Sequence, residues 1–111
     1  MSEEQARRAG LNESIFRQVN EQIESLNRGF DAAPGELSVI CECADGDCTD
    51  RLEISVSEYE KVRSDPRRYI IVPGHEVPEF ESIVERTKGY DVVQKREGEP
   101  AELARETDPR S

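Results

Sequence analysis

Between Leu11 and Phe30, in the run LNESIFRQVNEQIESLNRGF, apolar residues recur at alternating steps of three and four: Phe16, Val19, Ile23, Leu26 and Phe30. That period belongs to one face of an α-helix, and Gly29 supplies a stop signal, so an amphipathic helix is predicted over residues 11–30. The stripe is narrow and of a/d type. It suits packing on the rest of the chain, a protein partner, or self-association of two copies along a helix seam. Asn20 and Asn27 flank it and read as surface polar residues. Residues 1–10 are expected to be a flexible N-terminus, and residues 31–36, DAAPGE, a linker by their Pro-Gly content.

Beyond the linker the period changes. LSVIC and RLEISV are rich in β-branched residues, and Asp45, Gly46 and Asp47 between them carry turn chemistry, which predicts a β-hairpin with the cysteines at its tip. In SEYEKVRSDP, Ser57 and Glu60 form a capping-box pattern and Asp65-Pro66 a stop, so a helix of about two turns is expected. RYIIV reads as a buried strand running into Pro73, Gly74 and His75. SIVERT and YDVVQK flank Lys88-Gly89, a two-residue hairpin connection. Residues 96–111 have few apolar positions and two prolines, and are expected to be a flexible C-terminal tail with at most a helical turn near residues 102–105. The predicted fold class is α+β. A small, mostly antiparallel sheet of about five strands with a short helix occupies residues 37–95, led by the longer amphipathic helix.

Composition adds a constraint. Apolar residues make up 34% of the 111 and charged residues 36%, which leaves little material for a core. Small domains so placed are commonly stapled by a disulfide, a metal or a second copy. A formal net charge of -10 argues against nucleic acid and against anionic membranes, because both need a dense basic footprint. The one basic cluster, Lys61, Arg63, Arg67 and Arg68, is interleaved with Glu58, Glu60 and Asp65 and reads as a solvated helix face, with a docking surface for an acidic partner as the alternative. No apolar run approaches the roughly 20 residues of a membrane span, so a cytoplasmic protein with reduced thiols is expected.

All three cysteines fall between Cys41 and Cys48, in CECADGDC, and the chain has a single histidine, His75. Cys41 and Cys43 leave the same face of a strand that persists to them, because strand side chains alternate. Gly46 lets the loop reverse so that Cys48 returns to that side. Three thiolates then converge, and Cys₃His is a recurrent ligand set of tetrahedral structural zinc. His75, aimed by the Pro73-Gly74 pair beyond the end of a strand, is the natural fourth ligand. Asp45, Asp47, Asp50 or water would complete the sphere in its place. The other readings of the thiols are an iron-sulfur cluster, a redox or nucleophilic cysteine, and inert buried side chains. Acidic neighbours raise a thiol's pKa and work against the nucleophile.

The segments NESIFRQVNEQIESLN, CECADGDC, EYEKVRSDPRRYIIVPGHEVPE and TDPR together resemble a family of small, uncharacterised soluble bacterial proteins in which such segments recur in this order. The resemblance spans most of the chain and implies a metal site at Cys41, Cys43, Cys48 and His75. It implies no activity. A weaker similarity, to CDGSH-type iron-sulfur proteins, rests on the Cys-x-Cys start and the three-cysteine, one-histidine count. Those proteins place the histidine a few residues after the third cysteine, whereas His75 lies far downstream of Cys48.

The expected function is a small zinc-binding interaction or regulatory module with a structural Cys₃His site. The alternatives are an iron-sulfur or thiol redox protein, and a metal-dependent enzyme with an open zinc site. A filled sphere of three thiolates and an imidazole leaves no position for water, and no Gly-rich phosphate loop or nucleophile triad accompanies it.

Overall fold

The leading helix is longer than its apolar stripe. In a computed structural model of the chain, which describes residues 3–29 and 36–110, α1 runs Glu3–Gly29 and takes in most of the segment expected to be a flexible N-terminus. Phe30 and nearly all of the expected linker lie outside the described residues. The chain continues through β1 (Glu36–Ile40), β2 (Arg51–Ser55), α2 (Val56–Arg63), β3 (Arg68–Ile71), β4 (Glu81–Arg86), β5 (Asp91–Lys95) and α3 (Glu99–Glu106).

The five strands fall where the sequence period placed them, but in two sheets. β1 and β2 form an antiparallel hairpin, and β3, β5 and β4 an antiparallel sheet in that order. Glu42, just past β1, joins the two: its backbone N–H donates to the Ile70 carbonyl at 2.8 Å, and its carboxylate accepts from the Ile70 N–H at 3.0 Å. Alternation sets the core. Leu37 and Val39 of β1 lie opposite Ile54 and Leu52 of β2, and this face meets Tyr59 and Val62 of α2 and Ile70 and Val92 of the larger sheet. The other face of that sheet, Tyr69, Ile71 and Val93, meets Cys41, Cys43 and Ala104. The cap of α2 lies two residues before the predicted one: Ser55, not Ser57, accepts from the Glu58 N–H, at 3.1 Å. The same Ser-x-x-Glu pattern occurs in both frames.

Two further expectations need correction. Residues 96–110 are not part of a flexible tail. They contain α3, whose Ala101, Leu103 and Ala104 are buried, and α3 packs on α1 where Gly10 carries no side chain. A Cβ at Gly10 would stand 2.5 Å from Leu103 Cδ2. Arg110 then closes the chain onto the body through ion pairs to Glu21, Glu24 and Glu60.

The second correction concerns the buried face of α1. It is not the apolar stripe. Glu13, Ser14, Arg17, Asn20 and Glu24 are buried, with Asn20, expected at the surface, fully so. Among the described residues of the predicted stripe only Ile23 packs against the core; Phe16 is half-buried and Val19 and Leu26 are exposed. Each buried polar group has a designated place. Asn20 pairs with both backbone groups of Ile40, donating to its carbonyl at 2.8 Å and accepting from its N–H at 2.9 Å, and donates to Glu42 at 2.7 Å. Glu42 is also held by Arg63 from α2. Arg17 donates to the carbonyls of Pro66 (2.6 Å) and Ala104 (2.9 Å), and Lys95 bridges Glu13 and Glu81 at 2.5 and 2.7 Å. Burying these groups without partners would cost several kcal/mol; with partners they dock the helix directionally.

Candidate metal centre

The strand ends at Ile40, yet the ladder persists one step, with Cys41 N–H donating to the Asp50 carbonyl at 2.9 Å. This holds both ends of the loop from Cys41 to Asp50 together. Inside it, Asp45 accepts the Asp47 N–H on its carboxylate (2.9 Å) and the Cys48 N–H on its carbonyl (3.0 Å), which reverses the chain and brings Cys48 back to Cys41 and Cys43. Gly46 serves this loop differently from expectation. Its φ lies outside the left-handed region, and its bareness instead admits Asn12 of α1, 3.2 Å from where a Cβ would stand. Asn12 in turn donates to the Ala44 carbonyl at 3.1 Å and ties the loop to α1.

His75 arrives from the other sheet. After β3, Pro73 and Gly74 make a tight turn closed by the His75 N–H to the Val72 carbonyl at 3.1 Å. Gly74 has φ +96°, the conformation that the third position of a type II turn demands and that a side chain disfavours. The turn delivers the imidazole to the thiols. Nδ1 stands 3.5 Å from Cys41 Sγ and 3.8 Å from Cys48 Sγ, and the four ligand atoms of Cys41, Cys43, Cys48 and His75 all lie within 4.8 Å of one another.

These spacings suit a single ion. With metal–sulfur bonds of about 2.3 Å and metal–nitrogen bonds of about 2.0 Å, the edges of a tetrahedron come to roughly 3.5–3.8 Å. Two observations add to the fit. The Val72 N–H donates to Cys41 Sγ at 3.2 Å, the kind of support a thiolate takes from an amide. The far nitrogen of the ring, Nε2, faces the Asp50 carboxylate at 3.5 Å. A histidine that gives Nδ1 to a metal keeps its proton on Nε2, and a carboxylate there fixes the tautomer and raises ligand basicity. Asp50, an alternative ligand on sequence grounds, thus stands behind the histidine; Asp45 and Asp47 shape the loop.

The cluster is electrostatically crowded without an ion. The hydrogen bond from Cys41, ahead of smaller contributions from His75 and Cys48, pulls the Cys43 thiol down to about 5 against the cost of burial. Cys41 is pushed far above the ordinary thiol range, first because its proton is engaged by Cys43 and then by burial. Burial raises Cys48. One thiolate held between two protonated thiols is an arrangement that a divalent cation relieves, releasing the remaining protons.

The four residues nominated from the sequence are the four that the fold brings together. The supporting roles were not foreseen: Asn12 sits in the helical segment with nothing to distinguish it, and Asp50 was nominated only as one of three acids that could replace the histidine. Among the described residues no helix is long and apolar enough to cross a membrane. No protein-family model, no curated protein and no solved structure matches the chain.

Proposed function

We propose that Cys41, Cys43, Cys48 and His75 hold one zinc ion in a closed, structural site, and that the chain is an interaction or regulatory module built around it. The observation that carries this reading is the approach of three thiols and one imidazole nitrogen to within 4.8 Å. Their origin supports a structural role. The cysteines come from the β1–β2 loop and the histidine from the turn after β3, so one ion pins the hairpin to the larger sheet in a domain with little apolar core. Four protein ligands leave no coordination position for water, which disfavours hydrolytic chemistry. An iron-sulfur cluster would set the same ligands farther apart, because several metal atoms and bridging sulfides would occupy the space between them.

The interaction role rests on α1. Its outer side carries Leu11, Ile15, Val19 and Leu26, exposed at 40, 57, 37 and 61%. With Ile23 taken up by the body, this strip is what α1 offers to a protein partner or a second copy. The deciding experiment is metal analysis of purified protein. About one zinc per chain is expected, lost in Cys41→Ser, Cys43→Ser and Cys48→Ser; stoichiometric iron with visible absorption, or no metal, would overturn the assignment.

A further inference from the structure

We propose that a cavity between α1, α3 and the β3–β5 sheet is a binding site for a small, uncharged molecule built on a ring. The cavity has a volume of about 260 Å³ and is walled by Ala6 and Gly10 on α1, Leu103 and Ala104 on α3, Tyr69 on β3, and Phe80; no cysteine lines it, though Tyr69 and Ala104 back onto Cys41 and Cys43. It exists because the small residues coincide. α3 closes on α1 at Gly10, where Leu103 takes the place a side chain would need. One turn earlier Ala6 is too short to follow, and Ala104 leaves the opposite wall low. An apolar cavity of roughly 150 Å³ already accepts benzene, so this one has room for a substituted ring or a fused pair.

Charge selects the class of guest. The ammonium at the wall, Lys95, is only 4% exposed and is already answered by the buried carboxyl groups of Glu13 and Glu81, at 2.5 and 2.7 Å. An anion entering here would find the lysine already neutralised by those two carboxyl groups, and a cation would meet the lysine itself. An uncharged guest meets neither penalty. The aromatic wall is preformed: Arg17 and Lys95 lie 4.5 and 5.4 Å from the Tyr69 ring centroid and hold it in place. Arg7 and Glu99, exposed and opposite in sign, also border the cavity. A guest would touch both helices and the sheet at once, so occupancy would stabilise the docking of α1 and α3.

The chain has no tryptophan, so indole can be titrated into it with the probe's own fluorescence as the readout. Full-length protein with its metal is expected to give a saturable blue shift at one indole per chain, with a dissociation constant on the order of 10⁻⁴ M. Toluene should displace the indole and benzoate should not. Ala6→Leu, at a half-buried position, should weaken binding roughly tenfold or more by filling the space, with circular dichroism and melting temperature confirming the fold. Ala6→Met is the second variant should leucine disturb the helix contact. Absence of saturation up to about 5 mM, equal binding by a folded Ala6 variant, or displacement by benzoate as effective as by toluene would each overturn the proposal.

Discussion

Asn20→Leu tests the feature of this fold that runs most against hydrophobic patterning. The change keeps a side chain of similar size and removes an amide that makes three hydrogen bonds at 2.7–2.9 Å. The Ile40 N–H, the Ile40 carbonyl and one contact to a buried carboxylate lose their partner. At about 1 kcal/mol for each neutral bond and about 2 for the charged one, the loss is about 4 kcal/mol. Burial of the leucine returns about 1, leaving a destabilisation of about 3 kcal/mol in a domain whose whole stability is on the order of 5–15. The comparison is Leu26→Ala, which removes an apolar group from the same helix. At 61% exposure it should change stability by no more than about 0.5 kcal/mol. Urea unfolding followed by far-ultraviolet circular dichroism, at one fixed excess of zinc, reads both. With a slope of about 1.5 kcal/mol/M, Asn20→Leu should lower the midpoint by about 2 M. An unshifted midpoint for Asn20→Leu, or an equal loss for Leu26→Ala, would refute the orientation of α1 described above.

Leu103→Ala should cost about 2 kcal/mol or more, because the side chain is 7% exposed and fills the contact over Gly10; a value near zero by the same unfolding assay would mean that α3 does not dock. Asp50→Asn should weaken metal affinity by roughly tenfold in a competition with a chromophoric chelator, since the carboxylate supports Nε2 of His75; unchanged affinity would remove Asp50 from the site. In metal-free protein Cys43 is held at about 5 against about 8.5 in an unfolded chain, and a group depressed in the folded state stabilises it above the unfolded value and loses that contribution as pH falls through the folded one. Stability of the metal-free form should therefore rise from about pH 5 to pH 8.5. Above that range it should fall, because the raised Cys41 and Cys48 lose their protons first in the unfolded chain. Denaturant midpoints across pH check this, and Cys43→Ser should flatten the rising limb.

The strands were legible because β-branched residues at period two, bounded by Gly, Pro and Asp, have few other uses. The four clustered residues were legible for a related reason: three cysteines within CECADGDC and a lone histidine after Pro-Gly are rare chemistry, and rarity survives ignorance of the fold. The seat of α1 was not legible. Glu13, Arg17, Asn20 and Glu24 recur at steps of four, three and four, as helical as the apolar stripe, but periodicity alone does not say which stripe turns inward when the docking surface offers carbonyls and a lysine. α3 was read as no more than a helical turn in a tail because its anchoring rests on Leu103 and two alanines, too little apolar content to distinguish a docked helix from a tail. Arg110, its final clamp, becomes meaningful only once three acids from α1 and α2 stand around it.

The polar seat of α1 has a mechanical consequence. An oily interface lets two elements creep past one another with small loss, since one methyl group substitutes for the next. Here Asn12 meets Ala44, Glu13 meets Lys95, Arg17 meets Pro66 and Asn20 meets Ile40 at successive heights along the rod. A slip by one turn, about 5.4 Å, would break all four at once and leave charges facing backbone groups that do not match them. α1 is therefore keyed to the body like a pin with several wards: any pull or partner acting on its outer side either leaves it seated or lifts it whole, with no half-shifted position between.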